Sequence, residues 1–206
     1  MLTVKILRGL DSIEDLDGRV AVVKDASEFY DVYENDVKIL SVRKDLNVLE
    51  ILADLGFDYA VFADFDLDVD EYETLKSLIR KVKSAKDSER CGAIAIFLGF
   101  VKKISDGKEV VRLEFERFDE LYWQRVREIE EQMKRYEGVV NVKIYHRVGA
   151  LRPGEDIVYV IVMGESRKSV YKPLEECVEL IKGKLPIWKK EVYKNGAIWV
   201  HDKHRR

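Results

Sequence analysis

The stretch CGAIAIFLGFV (91–101) runs for eleven residues without a charge, in a chain where Asp, Glu, Lys and Arg make up 36% of the residues. An apolar run with no polar alternation needs cover on both faces, so it predicts a buried strand. Directly before it lies KSAKDSER (83–90), a polar seam. The seam predicts a boundary between a small α/β module over residues 1–85 and a second domain over residues 86–206. Charge changes near the same place. Residues 1–90 carry 13 Lys and Arg against 21 Asp and Glu, whereas residues 91–206 carry 23 against 18. Opposite local charge suggests modules with different partners, the basic half suiting an anion or an acidic protein. It has no basic stripe with interleaved aromatics, so nucleic acid is not expected.

The rest of the chain fills in both halves. RVAVVK (19–24), VKILSV (37–42) and YAVFAD (59–64) read as strands, and LNVLEILADLG (46–56) as a helix between the last two. A strand, helix and strand in that order favour a parallel pair. Asp70 and Glu73 have capping-box spacing and would open a helix reaching about Ser84. After the seam the pattern changes. VVRLEFERF (110–118) puts Val111, Leu113 and Phe115 on one face, and Asp106-Gly107 marks a hairpin between it and 91–101. Tyr122, Val126, Ile129, Met133 and Tyr136 recur at helical spacing. VNVKIYH (140–146) and IVYVIVM (157–163) read as strands. Residues 167–182 read as a second helix ended by Gly183, with Pro173 in an early turn or at a kink. A hairpin then closes around Asn195-Gly196. These elements predict an α+β fold whose second half is mainly antiparallel.

Several chemistries are excluded or weakened. The chain has no GxxxxGK[ST] loop, so P-loop nucleotide hydrolysis is not expected. DFDLDVDE (64–71) lacks the Gly and Glu of a calcium loop, having Val69 and Leu75 there, and reads as helix capping plus solvated acid. Cys91 and Cys177 sit in apolar company and read as reduced core thiols of a cytoplasmic protein. His146, His201 and His204 have no nucleophile partner at a recognisable spacing, and no metal site is expected. No run is long and apolar enough to span a membrane, and MLTVKILRGL does not read as a signal peptide. GESRKS (164–169), ahead of a helix, could hold an anion.

LIKGKLPIWKKEVY (180–193) places Lys182, Lys184, Lys189 and Lys190 among Leu185, Pro186, Ile187 and Trp188. Lysine attacks a carbonyl only as the free amine, which crowded cations and partial desolvation both favour. The residues alone leave a functional lysine pocket and a solvated patch evenly balanced.

GAIAIFLGFVKK (92–103), LEFERFDELYW (113–123), HRVGALRPGED (146–156), SRKSVYKPLEECVELIKGKLPIWKKE (166–191) and GAIWV (196–200) together resemble the large, catalytic subunit of molybdopterin synthase. The resemblance covers essentially all of residues 91–206. It implies an α/β hammerhead-type domain that dimerises and binds a small ubiquitin-like sulfur-carrier subunit ending in Gly-Gly. The carrier's thiocarboxylate would deliver sulfur to cyclic pyranopterin monophosphate, forming the molybdopterin dithiolene in molybdenum cofactor biosynthesis without a cofactor. Lys182 falls on the family's essential lysine and Lys189 on its second active-site lysine. Phe97 and Arg167 fall on pocket residues. Ser166 stands where the family often has His, Lys102 where an Arg is expected, and Lys203 falls on a C-terminal basic position. Arg167 and Lys182 lie fifteen residues apart, about 22 Å along one helix, which points to a site completed across a dimer. The N-terminal module faintly resembles an accessory protein of molybdopterin-guanine dinucleotide synthesis that has lost its phosphate loop. The rival readings are a carrier-docking protein without catalysis and a regulatory scaffold led by the acidic module.

Overall fold

The computed structural model describes residues 4–8, 16–63 and 71–200. The chain divides into two compact units, Met1–Lys81 and Val82–Arg206.

The first unit contains β1 (Val4–Arg8), β2 (Val20–Ala26), β3 (Phe29–Glu34), β4 (Val37–Arg43), α1 (Val48–Leu55), β5 (Tyr59–Phe62) and β6 (Glu71–Tyr72), and α2 (Leu75–Lys83) begins in it. The strands form one sheet in the order β4-β3-β2-β5-β1-β6. β5 runs parallel to both β1 and β2. The strands flanking α1, β4 and β5, are therefore not neighbours, contrary to the sequence expectation. The reason is β3, FYDVYE, whose Phe29, Tyr30, Val32 and Tyr33 favour a strand that was not counted among the expected ones. Asn35 and Asp36, at φ 49° and 64°, make the tight turn that pairs β3 with β4, and β2 pairs with β3. These local hairpins take the neighbouring positions, so α1 carries the chain past β3 and β2 to place β5 on the far side of β2. The Asn47 side chain accepts the N–H groups of Leu49 and Glu50 at the start of α1, satisfying donors a helix start leaves open. Val23, Val32, Leu52, Phe57, Ala60 and Phe62 form the core.

The expected capping box at Asp70 falls outside the described residues. Glu71 and Tyr72 are in β6, paired with β1, and α2 opens after Thr74. The Thr74 Oγ1 accepts the Ser77 N–H at 3.0 Å, and the Ser77 Oγ accepts the Thr74 N–H at 2.9 Å. Glu73 turns inward instead, accepting the Ser77 hydroxyl and pairing with Lys81.

The second unit is mixed α+β with mainly antiparallel sheets. In order it has β7 (Ala93–Phe100), β8 (Ile104–Ser105), β9 (Lys108–Arg117), α3 (Asp119–Met133), β10 (Val139–His146), β11 (Gly149–Leu151), β12 (Asp156–Gly164), α4 (Arg167–Lys184), β13 (Ile187–Tyr193) and β14 (Gly196–Trp199). One sheet runs β10-β12-β7 and carries α3 and α4. Tyr122, Val126, Ile129 and Met133 of α3 meet Val142, Ile144, Val160 and Val162 of the sheet and Val170, Cys177 and Ile181 of α4. Each fully buried side chain of this size contributes about 1.5–3 kcal/mol. Glu130 also points inward. It pairs with Lys143 at 2.8 Å and accepts the Ile144 N–H at 3.1 Å, joining α3 to β10.

The other sheet runs β11-β9-β13-β14, with β8 against β9. Asp106-Gly107 does form a hairpin, but it joins β8 to β9, while β7 pairs with β12. Two short residues, Ile104 and Ser105, take the partner role assigned to 91–101. β9 departs from simple alternation as well. Its pairing with β13 slips by one residue, so that Arg112 faces Val192 but Val110 faces Tyr193. Val111 is the extra residue of a bulge and lies 40% exposed, while Val110, Leu113 and Phe115 face inward. A bulge of this kind reverses the side-chain phase to one side of it.

Candidate functional site

The lysine-rich stretch is the turn from α4 into β13. α4 is unbroken from Arg167 to Lys184 and includes Pro173. Gly183 does not end the helix; it is the penultimate residue, and Leu185 is the cap. Arg167 and Lys182 therefore lie at opposite ends of one rod, about 22 Å apart at 1.5 Å per residue. Ser166 is the N-cap, its N–H donating to Ser169 Oγ at 3.1 Å. Ser166 and Arg167 are both exposed. Lys182, in the last turn, is paired with Glu179 at 2.8 Å, and its side chain is 63% exposed.

Beyond Pro186 the chain becomes β13, and its period of two separates the next two lysines. Lys190 lies on the face of Trp188. It pairs with Glu114 at 3.0 Å and sits over the Trp199 ring. Lys189 lies on the opposite face, across from Phe115, and pairs with Glu191 at 3.0 Å. Glu191 is only 4% exposed. Its second oxygen accepts from Ser105 Oγ at 3.3 Å and from the Tyr193 hydroxyl. The sequence reading expected crowded cations. The fold instead sets a carboxylate against each of Lys182, Lys189 and Lys190, two of them brought in by helix and cross-strand spacing. Glu191 escaped that reading, although its place two residues after Lys189 puts both on one strand face.

Phe97, on β7, packs against the main core opposite Val160. Gly99 makes room beside it: a Cβ there would lie 2.8 Å from Val158 Cγ1 and 3.5 Å from the Phe97 ring. Lys102 follows β7 and is exposed. Lys203, His201 and His204 lie outside the described residues, as does the acidic run over 64–70.

The remaining candidates are held by the fold. Burial pushes the Cys177 thiol up to about 12, helped by Glu130; Cys91, expected in the core, is only half-buried just ahead of β7, and what burial it has raises its thiol too. Neither is a ready thiolate. Burial pushes His146 down to about 4, with the Arg117 charge acting in the same direction. Its Nδ1 lies 2.7 Å from the Arg147 carbonyl oxygen, and its ring makes a T-shaped pair with Phe115, the centroids 4.9 Å apart. Among the described residues, no cluster of three His, Cys, Asp or Glu could hold a metal ion, and no helix is long and apolar enough to cross a membrane.

The chain is 33% identical over 151 residues to a probable molybdopterin synthase of Haloferax volcanii, a match covering 71% of this chain and 58% of that protein. It is 35% identical over 128 residues to the molybdopterin synthase catalytic subunit of Bacillus subtilis, covering 62% of this chain and 78% of that one. The crystal structure of molybdopterin synthase from Staphylococcus aureus superposes with a TM-score of 0.52 at 30% identity, covering 54% of this chain and 81% of the other. A complex of subunits 1 and 2 of the molybdopterin-converting factor from Helicobacter pylori superposes at 0.51 with 25% identity, over 63% and 84% of the two chains. The family model described as MoaE protein matches residues 67–184. With more than half its length matched, this chain belongs to the MoaE protein family.

Proposed function

We propose that this chain is the catalytic subunit of a molybdopterin synthase. It moves sulfur from the C-terminal thiocarboxylate of a small ubiquitin-like carrier to cyclic pyranopterin monophosphate, two transfers giving the dithiolene of molybdopterin. The observation carrying this reading is the α4–β13 turn in a chain of this family, with Lys182 on the helix side and Lys189 on the strand side. Lys182 guides the carrier tail and either moves a proton or captures the acyl group. Lys189, Arg167 and Lys102 hold the substrate phosphate and offset negative charge as it develops. Phe97 and Ser166 line the site, with Lys203 as a further cation. The likeness to the Helicobacter pylori two-subunit complex supports a small partner subunit.

The length of α4 supports a homodimer in which Arg167 of one protomer serves the Lys182 site of the other. A hammerhead arrangement of the second unit and a cytoplasmic location go with this reading. The first unit, whose β2, β5 and β1 form a parallel trio, is read as a non-hydrolysing remnant of a nucleotide-binding module. Reconstitution tests the proposal. With thiocarboxylated carrier and cyclic pyranopterin monophosphate, the wild type forms dithiolene and Lys182→Ala does not, though it remains folded. Carrier binding without product in the wild type would favour a docking role instead.

A further inference from the structure

We propose that Ser105, Glu191 and Tyr193 are positioning residues that fix the Lys189 amine, an inference resting on the sulfur-transfer reading of Lys189. Lys189, Glu191 and Tyr193 occupy alternate positions on β13, so their side chains share a face. Ser105 arrives from β8, 86 residues earlier in the chain. The two oxygens of Glu191 are divided between tasks: Oε1 faces Lys189 at 3.0 Å, and Oε2 accepts from the Ser105 and Tyr193 hydroxyls. A carboxylate this deeply placed needs partners on both oxygens. The hydroxyls fix its plane, and the plane fixes where the ammonium sits.

Glu191 is 5% exposed at its side chain while Lys189 is 35% exposed, so the anchor is inside and the lysine it holds is half-buried. Lys182 has no such anchor, since its partner Glu179 is 69% exposed. The two lysines of the turn therefore differ in kind. Lys189 is a fixed cation suited to holding an anionic group at one place, and Lys182 is a mobile one suited to following a flexible tail.

Competitive labelling with acetic anhydride, read residue by residue by mass spectrometry, tests the arrangement independently of turnover. In the wild type Lys189 is acetylated more slowly than Lys182. In Glu191→Gln, which keeps the shape and removes the charge, labelling of Lys189 rises about tenfold, the scale of one lost charged hydrogen bond. Lys182 is unchanged. Tyr193→Phe and Ser105→Ala give smaller rises at Lys189 alone and cover the case in which Glu191→Gln misfolds. In the reconstituted reaction, Glu191→Gln lowers kcat about tenfold while the KM for the carrier holds. Lys189 labelling that ignores all three variants, or a kcat unmoved in Glu191→Gln, would overturn the inference. A wild type that forms no dithiolene, with Lys189 labelling still responsive, overturns the sulfur-transfer reading and leaves the clamp standing.

Discussion

Mixing two inactive variants distinguishes a site completed across a dimer from one built within a chain. Arg167 and Lys182 sit at the two ends of α4, about 22 Å apart, too far to meet one small substrate. Arg167→Ala removes a forked cation and Lys182→Ala the tail-guiding amine, and each should lower dithiolene formation about 100-fold or more. Coexpression of the two variants gives half heterodimers by random pairing. In each heterodimer one site has Lys182 from the Arg167→Ala chain and Arg167 from the Lys182→Ala chain, and is intact. The other site lacks both groups. A random mixture therefore recovers about a quarter of wild-type activity, and a heterodimer purified through two different tags about half, as expected for a two-fold interface with one of two sites restored. Activity that stays at the level of the single variants in the purified heterodimer refutes the shared site.

Three further outcomes follow from the second unit. Glu130→Ala leaves the buried Ile144 N–H without its acceptor and removes the Lys143 pair, costing about 2–4 kcal/mol, whereas Glu130→Gln keeps the hydrogen bond and costs about 1 kcal/mol. Denaturant unfolding followed by tryptophan fluorescence separates them, and equal losses would show that the Ile144 contact contributes nothing. His146 is held near 4 in the fold against about 6.5 in the unfolded chain. The unfolded state thus binds more protons between these values, so stability is full above about pH 6.5 and falls as pH drops toward 4, by about 3 kcal/mol at most. That slope should disappear in His146→Gln; an unchanged slope would assign it to other groups. Gly99→Ala forces a Cβ against Val158 and toward Phe97 and should destabilise by about 1–3 kcal/mol, measured as a lower unfolding midpoint; no change would mean that the strand relaxes freely.

Elements with a single clean period were legible from the residues. The spacing of Tyr122, Val126, Ile129 and Met133 gave the buried face of α3, and the uncharged 157–163 run gave a strand buried on both faces. Pairing was harder, because neighbours are chosen by competition among segments. β3 has strand geometry despite its acidic side chains and displaced the expected β4–β5 contact, and β8 is too short to announce itself yet took the Asp106-Gly107 hairpin from 91–101. Glycine also misled. Gly183 reads as a stop, but α4 runs one residue past it to the cap Leu185, which is buried in the same core and donates its N–H to the Ile181 carbonyl. At the candidate site the lysines were visible, and Glu179 and Glu191 stand close enough in sequence to be read with Lys182 and Lys189, whereas Glu114 and Ser105 reach Lys190 and Glu191 only through strand pairing.

The bulge at Val111 makes β9 two strands in opposite phase, joined end to end. Residues 112–117 keep step with β13 and hold Phe115 opposite Lys189, while residues 108–110 follow the hairpin that brings in Ser105. A gain or loss of one residue in that hairpin can be absorbed at the joint instead of turning the whole strand over. The pairing of Lys189 with Phe115 is thereby insulated from changes in loop length on its own sheet, and what the hairpin must conserve is the one hydroxyl, Ser105, that it delivers to Glu191.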